Sequence, residues 1–153
     1  MSGNARERWV LGQADAERLI AEMKNAVERE FVMPAPGEQN GEFHVRGESS
    51  LTEYAIAMFR GRRNPDKHSA SARIARTGTQ LMRLCVNGSP HTNPDGAVVS
   101  GTHLHVYREG YDARYADPVD IGSPDFVEDT ILLLRKFNVM TMPAFQDGIE
   151  VGI

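Results

Sequence analysis

Cysteine is nearly missing from this chain: Cys85 is the only one among 153 residues. No disulfide can form within one chain, and a reducing compartment is the expected setting. Cys85 lies inside the apolar run LMRLCV. No run of about 18 apolar residues occurs, so no membrane-spanning helix is expected. The opening MSGNARERW is charged and no apolar segment follows it, so no secretory signal is expected either. A cytoplasmic protein is the resulting expectation. Internal repeats, low-complexity tracts and linkers of domain-boundary length are also missing, which predicts one domain over residues 1–153. A chain of this size buries roughly 68–70% of its unfolded surface, so its core needs no metal or disulfide staple.

A large net charge is lacking too, but the modest −4 hides an uneven distribution. Between Met58 and Tyr115 stand nine basic residues: Arg60, Arg62, Arg63, Lys67, Arg73, Arg76, Arg83, Arg108 and Arg114. Only Asp66, Asp95, Glu109 and Asp112 oppose them, so this segment carries +5 and the remainder −9. A basic middle in an acidic protein points to an anionic partner. Eight of the nine are arginines, whose planar fork suits phosphate. The plainer alternative is a set of solvated arginines on a sheet surface.

Periodicity divides the chain into helical ends and a strand-rich middle. DAERLIAEMKNAVERE predicts a helix from an Asp15 cap to about Arg29, with Leu19, Ile20, Met23, Ala26 and Val27 on one stripe. PAPGEQNG (34–41) reads as a loop. Strands follow at 42–46, 53–63, 70–77, 79–86 and 102–108, with a hairpin at Gly78 and a long loop from Asn87 to Gly101 holding the turn NPDG. Residues 125–137 predict a second helix capped by Ser123, and NVMTMPAF a short edge strand. The expected fold is α+β: an antiparallel sheet of about five strands with an N-terminal and a C-terminal helix packed on it.

The chemistry concentrates in THLHVYR. Side chains alternate along a strand, so Leu104 and Val106 face the core while His103, His105 and Tyr107 face the other way. The same alternation in TQLMRLCV sends Met82, Leu84 and Val86 inward and Arg83 outward, onto the histidine face if the strands are neighbours. Three chemistries fit such a face. A metal could take His103 and His105, with His91 or Glu109 as third ligand. This string resembles the first half of the cupin metal motif, but no histidine follows His105 to supply the second half, and arginines crowd the site. The expectation is therefore no metal and no cofactor. The series His-Leu-His-Val-Tyr resembles the strand of histidine-triad nucleotide hydrolases, with Tyr107 replacing the third histidine. The third chemistry is metal-free RNA cleavage. His103 and His105 would transfer protons, Arg83 would stabilise the phosphorane, and Tyr107 and His91 would orient or substitute. Arg60, Arg62, Arg63, Lys67, Arg73, Arg76, Arg108 and Arg114 would track the nucleic-acid backbone. A structural alternative has His103 and His105 pinning the PHTNPDG loop to the sheet. His44 and His68 read as surface residues.

The helix-then-meander layout resembles in topology the barnase–RelE–colicin group of RNase toxins. More specifically, PHTNPDG (90–96) with GTHLHVYREGYDARYADP (101–118), preceded by FRGRRNPDKHSASARIAR and LMRLCVNG, resembles an uncharacterised family of small bacterial and phage proteins. That resemblance covers about residues 50–150, implies a bacterial or phage cytosol, and carries no activity. The favoured expectation is a phosphate- or RNA-binding protein, in its sharpest form a metal-independent endoribonuclease of toxin type with a cognate antitoxin. The competing class is a non-enzymatic anti-defence protein that inhibits a host nucleic-acid-handling complex. No membrane partner is expected.

Overall fold

The alternating apolar residues of the middle segment assemble into one sheet, seen in a computed structural model that describes residues 10–38 and 41–146. The charged opening MSGNARERW and residues 39–40 of the expected loop lie outside the described residues. The first element is helix α1 (Gln13–Ala21). Strands β1 (Lys24–Ala26), β2 (Glu30–Val32), β3 (Gly41–Gly47), β4 (Glu53–Arg60), β5 (His68–Ile74), β6 (Gln80–Thr92), β7 (Val98–Val106) and β8 (Ala116–Pro118) follow. Helix α2 (Phe126–Lys136) and strands β9 (Val139–Thr141) and β10 (Ala144–Gln146) complete the described chain.

Eight strands form one sheet in the order β8-β7-β6-β5-β4-β3-β1-β9, and β2 with β10 forms a second, two-stranded one. Neighbours are antiparallel except β1 with β9 and β2 with β10, which run parallel. The sheet is therefore mixed and larger than the five antiparallel strands expected. The excess comes from the three-residue strands β1 and β8, which carry too few residues to show a period in sequence, and from β9, the edge strand expected within NVMTMPAF. No helix among the described residues is long and apolar enough to cross a membrane.

Register explains where the core sits. Phe43, Ile56, Ala72, Met82 and Val106 pair in one row across β3 to β7, and Met58, Ala70, Leu84 and Leu104 in the next. These rows form the core face, with α2 packed over β5 and β6. Met82, Leu84 and Val86 point inward as expected. Helix α2 starts where Asp125 accepts a bond from the Glu128 amide at 2.9 Å, so Asp125 is the cap and not Ser123. It ends before Asn138, whose φ of 59° lies in the left-handed region that asparagine tolerates. The expected long loop 87–101 is instead a continuation of the β6–β7 hairpin, closed by a tight turn at 93–96. Register shifts between Cys85 and Gly88 and between Gly88 and His91 disguise it, because they break the two-residue period.

The expected first helix is cut short. It stops at Ala21, and Lys24–Ala26 becomes a strand between β3 and β9, leaving Met23 and Val27 of the predicted stripe exposed. Nor does Asp15 cap it, since Gly12 holds the cap position. The cause is Lys24, fully buried beneath both helix ends. Its ammonium donates to the carbonyls of Ile20 (2.8 Å), Glu22 (2.9 Å) and Phe137 (2.7 Å), and lies 3.9 Å from the Phe137 ring centroid. These carbonyls belong to the group every helix C-terminus leaves unsatisfied. Burial lowers the lysine pKa to about 8, which still leaves it charged at neutral pH. Replacing it should be costly. Lys24→Met keeps the stem but strands the carbonyls, so urea unfolding should show a loss of about 2–4 kcal/mol. Lys67→Met, at an exposed position, should change stability by less than about 0.5 kcal/mol. Equal stability of Lys24→Met and wild type would contradict this role.

Candidate functional site

The sheet face turned away from α2 carries the second set of alternating residues. Arg83 pairs with His105 and Cys85 with His103 across β6 and β7. Ser71 and Ser69 of β5 extend those two rows, and Phe59 of β4 follows Ser69. The expected neighbourhood of Arg83, His103 and His105 is thus present, and Cys85 joins it. Sequence reading placed Cys85 only within an apolar run. The same two-residue step that turned Arg83 outward also turns Cys85 outward, and that was the available signal.

His91 joins them because β6 bulges and continues. Its ring centroid lies 4.6 Å from that of His105 and 5.9 Å from that of His103, while His103 and His105 are 5.0 Å apart. Each imidazole hands one nitrogen to a backbone carbonyl. His103 Nδ1 lies 2.9 Å from Gly101 O, His105 Nδ1 2.8 Å from Ala113 O, and His91 Nε2 2.6 Å from Arg114 O. A carbonyl can only accept, so the nitrogen facing it carries the proton. In the neutral rings the lone pairs then fall on Nε2 of His103 and His105 and on Nδ1 of His91. His103 and His105 are buried. Desolvation lowers the His105 pKa to about 4, with the neighbouring imidazoles and Arg83 acting in the same direction against the Ala113 bond. Burial pushes the Cys85 thiol up, partly offset by Arg83. One ligand atom each from Cys85, His103 and His105 lies within 4.8 Å of the other two.

These groups line a cleft of about 440 Å³, together with Lys67, Arg83, Arg114 and the 42%-exposed ring of Phe59. No carboxylate is among its lining residues. A larger concavity of about 840 Å³ lies beside Leu19 and the β5–β6 hairpin, but there Arg46 is already paired with Glu53 at 2.9 Å.

Several expected site residues stand elsewhere. Tyr107 leaves the histidine face: β7 ends at Val106, and the tyrosine turns into the core and donates to Leu11 O at 2.6 Å. Glu109, offered as a third metal ligand, instead accepts the Gln13 amide at the start of α1. Arg60 is buried with its guanidinium over the Phe126 ring at 4.4 Å. Arg73 pairs with Glu42, Arg108 lies over the Tyr115 ring, and Arg76 lines the other concavity. Arg62 and Arg63 are exposed on the loop that leads to Lys67. His44 is half-exposed and bonded to Glu28, whereas His68 is no surface residue: it is buried, with Nε2 2.6 Å from Asp129. His103 and His105 send their hydrogen bonds to Gly101 and Ala113, and touch residues 90–96 through ring packing on His91. The hydrogen bonds that hold the turn come from Asn93, which exchanges two buried bonds with the Ala116 backbone, and from His91.

A family of unknown function (DUF6978) matches the chain over residues 11–139, a span that includes helix α1. No curated protein matches. No solved structure matches.

The buried neutral imidazole makes stability depend on pH. With His105 near 4 in the folded chain against 6.5 unfolded, the unfolded chain binds the extra proton. Stability is therefore complete above about pH 6.5 and falls as pH drops toward 4, by on the order of 3 kcal/mol. Urea unfolding in EDTA at pH 7 and pH 4.5 should show a smaller loss for His105→Gln than for wild type. Identical losses would remove His105 as the cause.

Proposed function

We propose that this chain, which belongs to the DUF6978 family of unknown function, binds the phosphate backbone of single-stranded nucleic acid, RNA foremost, in the cleft on its open sheet face. The observation that carries the reading is electrostatic. Lys67, Arg83 and Arg114 line one cleft without a carboxylate, in a protein whose net charge is −4. Cations held apart from acids attract phosphate, and the cleft walls strengthen the field by excluding water. The exposed Phe59 ring gives a base a surface to stack on.

The ribonuclease form of this reading needs a proton donor as well as an acceptor. With a pKa of about 4, His105 is a poor donor at neutral pH and suits the acceptor's part. The likeness to toxin ribonucleases contributes topology alone.

Fluorescence anisotropy with a labelled RNA oligonucleotide tests the reading. Three phosphate contacts predict a slope of log affinity against log salt of about −2. Arg83→Ala and Arg114→Ala should each reduce that slope by about 0.7, while Arg73→Ala, already paired with Glu42, should leave it unchanged. Absence of salt-dependent binding, or equal effects of all three variants, would defeat the proposal.

A further inference from the structure

We propose that Cys85, His103 and His105 form a zinc site at the floor of the cleft, with the thiolate and two imidazole nitrogens as ligands and a fourth position open to the cleft. The inference concerns an ion and not nucleic acid, so it does not rest on the phosphate reading.

Convergence is the first argument. The three ligand atoms lie within 4.8 Å of one another. Tetrahedral zinc, with bonds of about 2.0–2.3 Å, holds its ligands roughly 3.3–3.6 Å apart. Small side-chain rotations from two paired strands close that gap. Ligand type is the second argument: thiolate and imidazole are the donors zinc prefers. The third is orientation. A ligating histidine ordinarily donates its other ring N–H to a carbonyl or carboxylate, which fixes the tautomer. His103 and His105 both have Nδ1 on a backbone carbonyl, at 2.9 and 2.8 Å. That leaves Nε2 of each as the lone pair to give.

Arginines stand beside this site in three dimensions as they do in sequence. Arg114 directs its guanidinium toward the carbonyls of Tyr111 and Gly110. Arg83 stands on the same face of β6, two residues from Cys85 and paired with His105. Binding breaks the Cys85 S–H bond, forms the S–Zn bond and releases the proton to solvent. The ion and thiolate together then carry +1, adjacent to Lys67 and Arg114. The open position therefore suits an anionic oxygen ligand, a phosphate oxygen or hydroxide.

Tag-free protein purified without chelators should contain about one zinc per chain by elemental analysis. Exchanged with Co²⁺, it should show a thiolate-to-cobalt charge-transfer band. Cys85→Ser should lose that band and most of the zinc while retaining the wild-type circular dichroism spectrum. His103→Gln provides a second variant, expected to bind Co²⁺ at least tenfold more weakly. Wild-type protein that neither retains zinc nor gives the cobalt band would overturn the site. So would copper in place of zinc, or a folded Cys85→Ser that binds as much of either ion as wild type. The zinc and cobalt readouts use no RNA, so either reading can fail alone.

Discussion

A single buried ammonium organises the ends of this fold. Lys24 sits where α1 ends, where the chain passes into β1, and where α2 hands over to β9. Three carbonyls that two helix ends would leave bare converge on it, and the Phe137 ring closes over it at 3.9 Å. Glu22, next to it in space, has its own work: it accepts from the Ser50 amide and hydroxyl and from the Tyr54 hydroxyl. Burial opposes the charge on Glu22, but these bonds and Lys24 outweigh it and hold its carboxyl below the ordinary range. The edge of the large sheet is thereby fixed to both helices by polar contacts. The opposite end of the sheet, strands β6 to β8, builds the cleft on this frame.

The cleft inverts the usual use of a sheet's second face. An outward face ordinarily carries solvated polar residues, yet His103, His105 and Cys85 are buried there. The 108–115 segment and β8 cover them, tied down by Asn93 and by the histidines' own bonds to carbonyls. Every imidazole proton has a partner, so burying the rings is not prohibitive. Lys67, Arg83 and Arg114 line the same cleft. Buried imidazoles and a thiol among cations suit ion coordination and anion capture better than they suit a solvated acid–base pair.

Much of this was legible in advance. Alternation in THLHVYR and TQLMRLCV identified the core residues Met82, Leu84 and Val86 and brought Arg83 to the histidines, because a strand's two-residue period is local geometry. It misled at Tyr107, where β7 had already ended. It missed Cys85 because cysteine is commonly a core filler, and its neighbours in LMRLCV are apolar. Charge counting found the basic segment but not its division. Of the nine basic residues, Lys67, Arg83 and Arg114 reach the cleft, while Arg60 is buried and Arg73 is paired with an acid. Whether a charge is free depends on what packs beside it, and that is not written in the segment itself.

The sequence by itself therefore determined the α+β composition, the strand-rich middle, the inward and outward parity of TQLMRLCV and of THLHV, and the tight turns at Gly78 and Asn93–Gly96. All of these follow from backbone preferences within a few residues. Only the tertiary structure decided that the first helix breaks at Ala21, that His68 lies against Asp129, and that Cys85, His91, His103 and His105 meet. Each depends on partners far away in the chain, on bulges that shift register, and on buried polar groups finding their acceptors. Such contacts form through packing of the whole sheet, which no short window of residues contains.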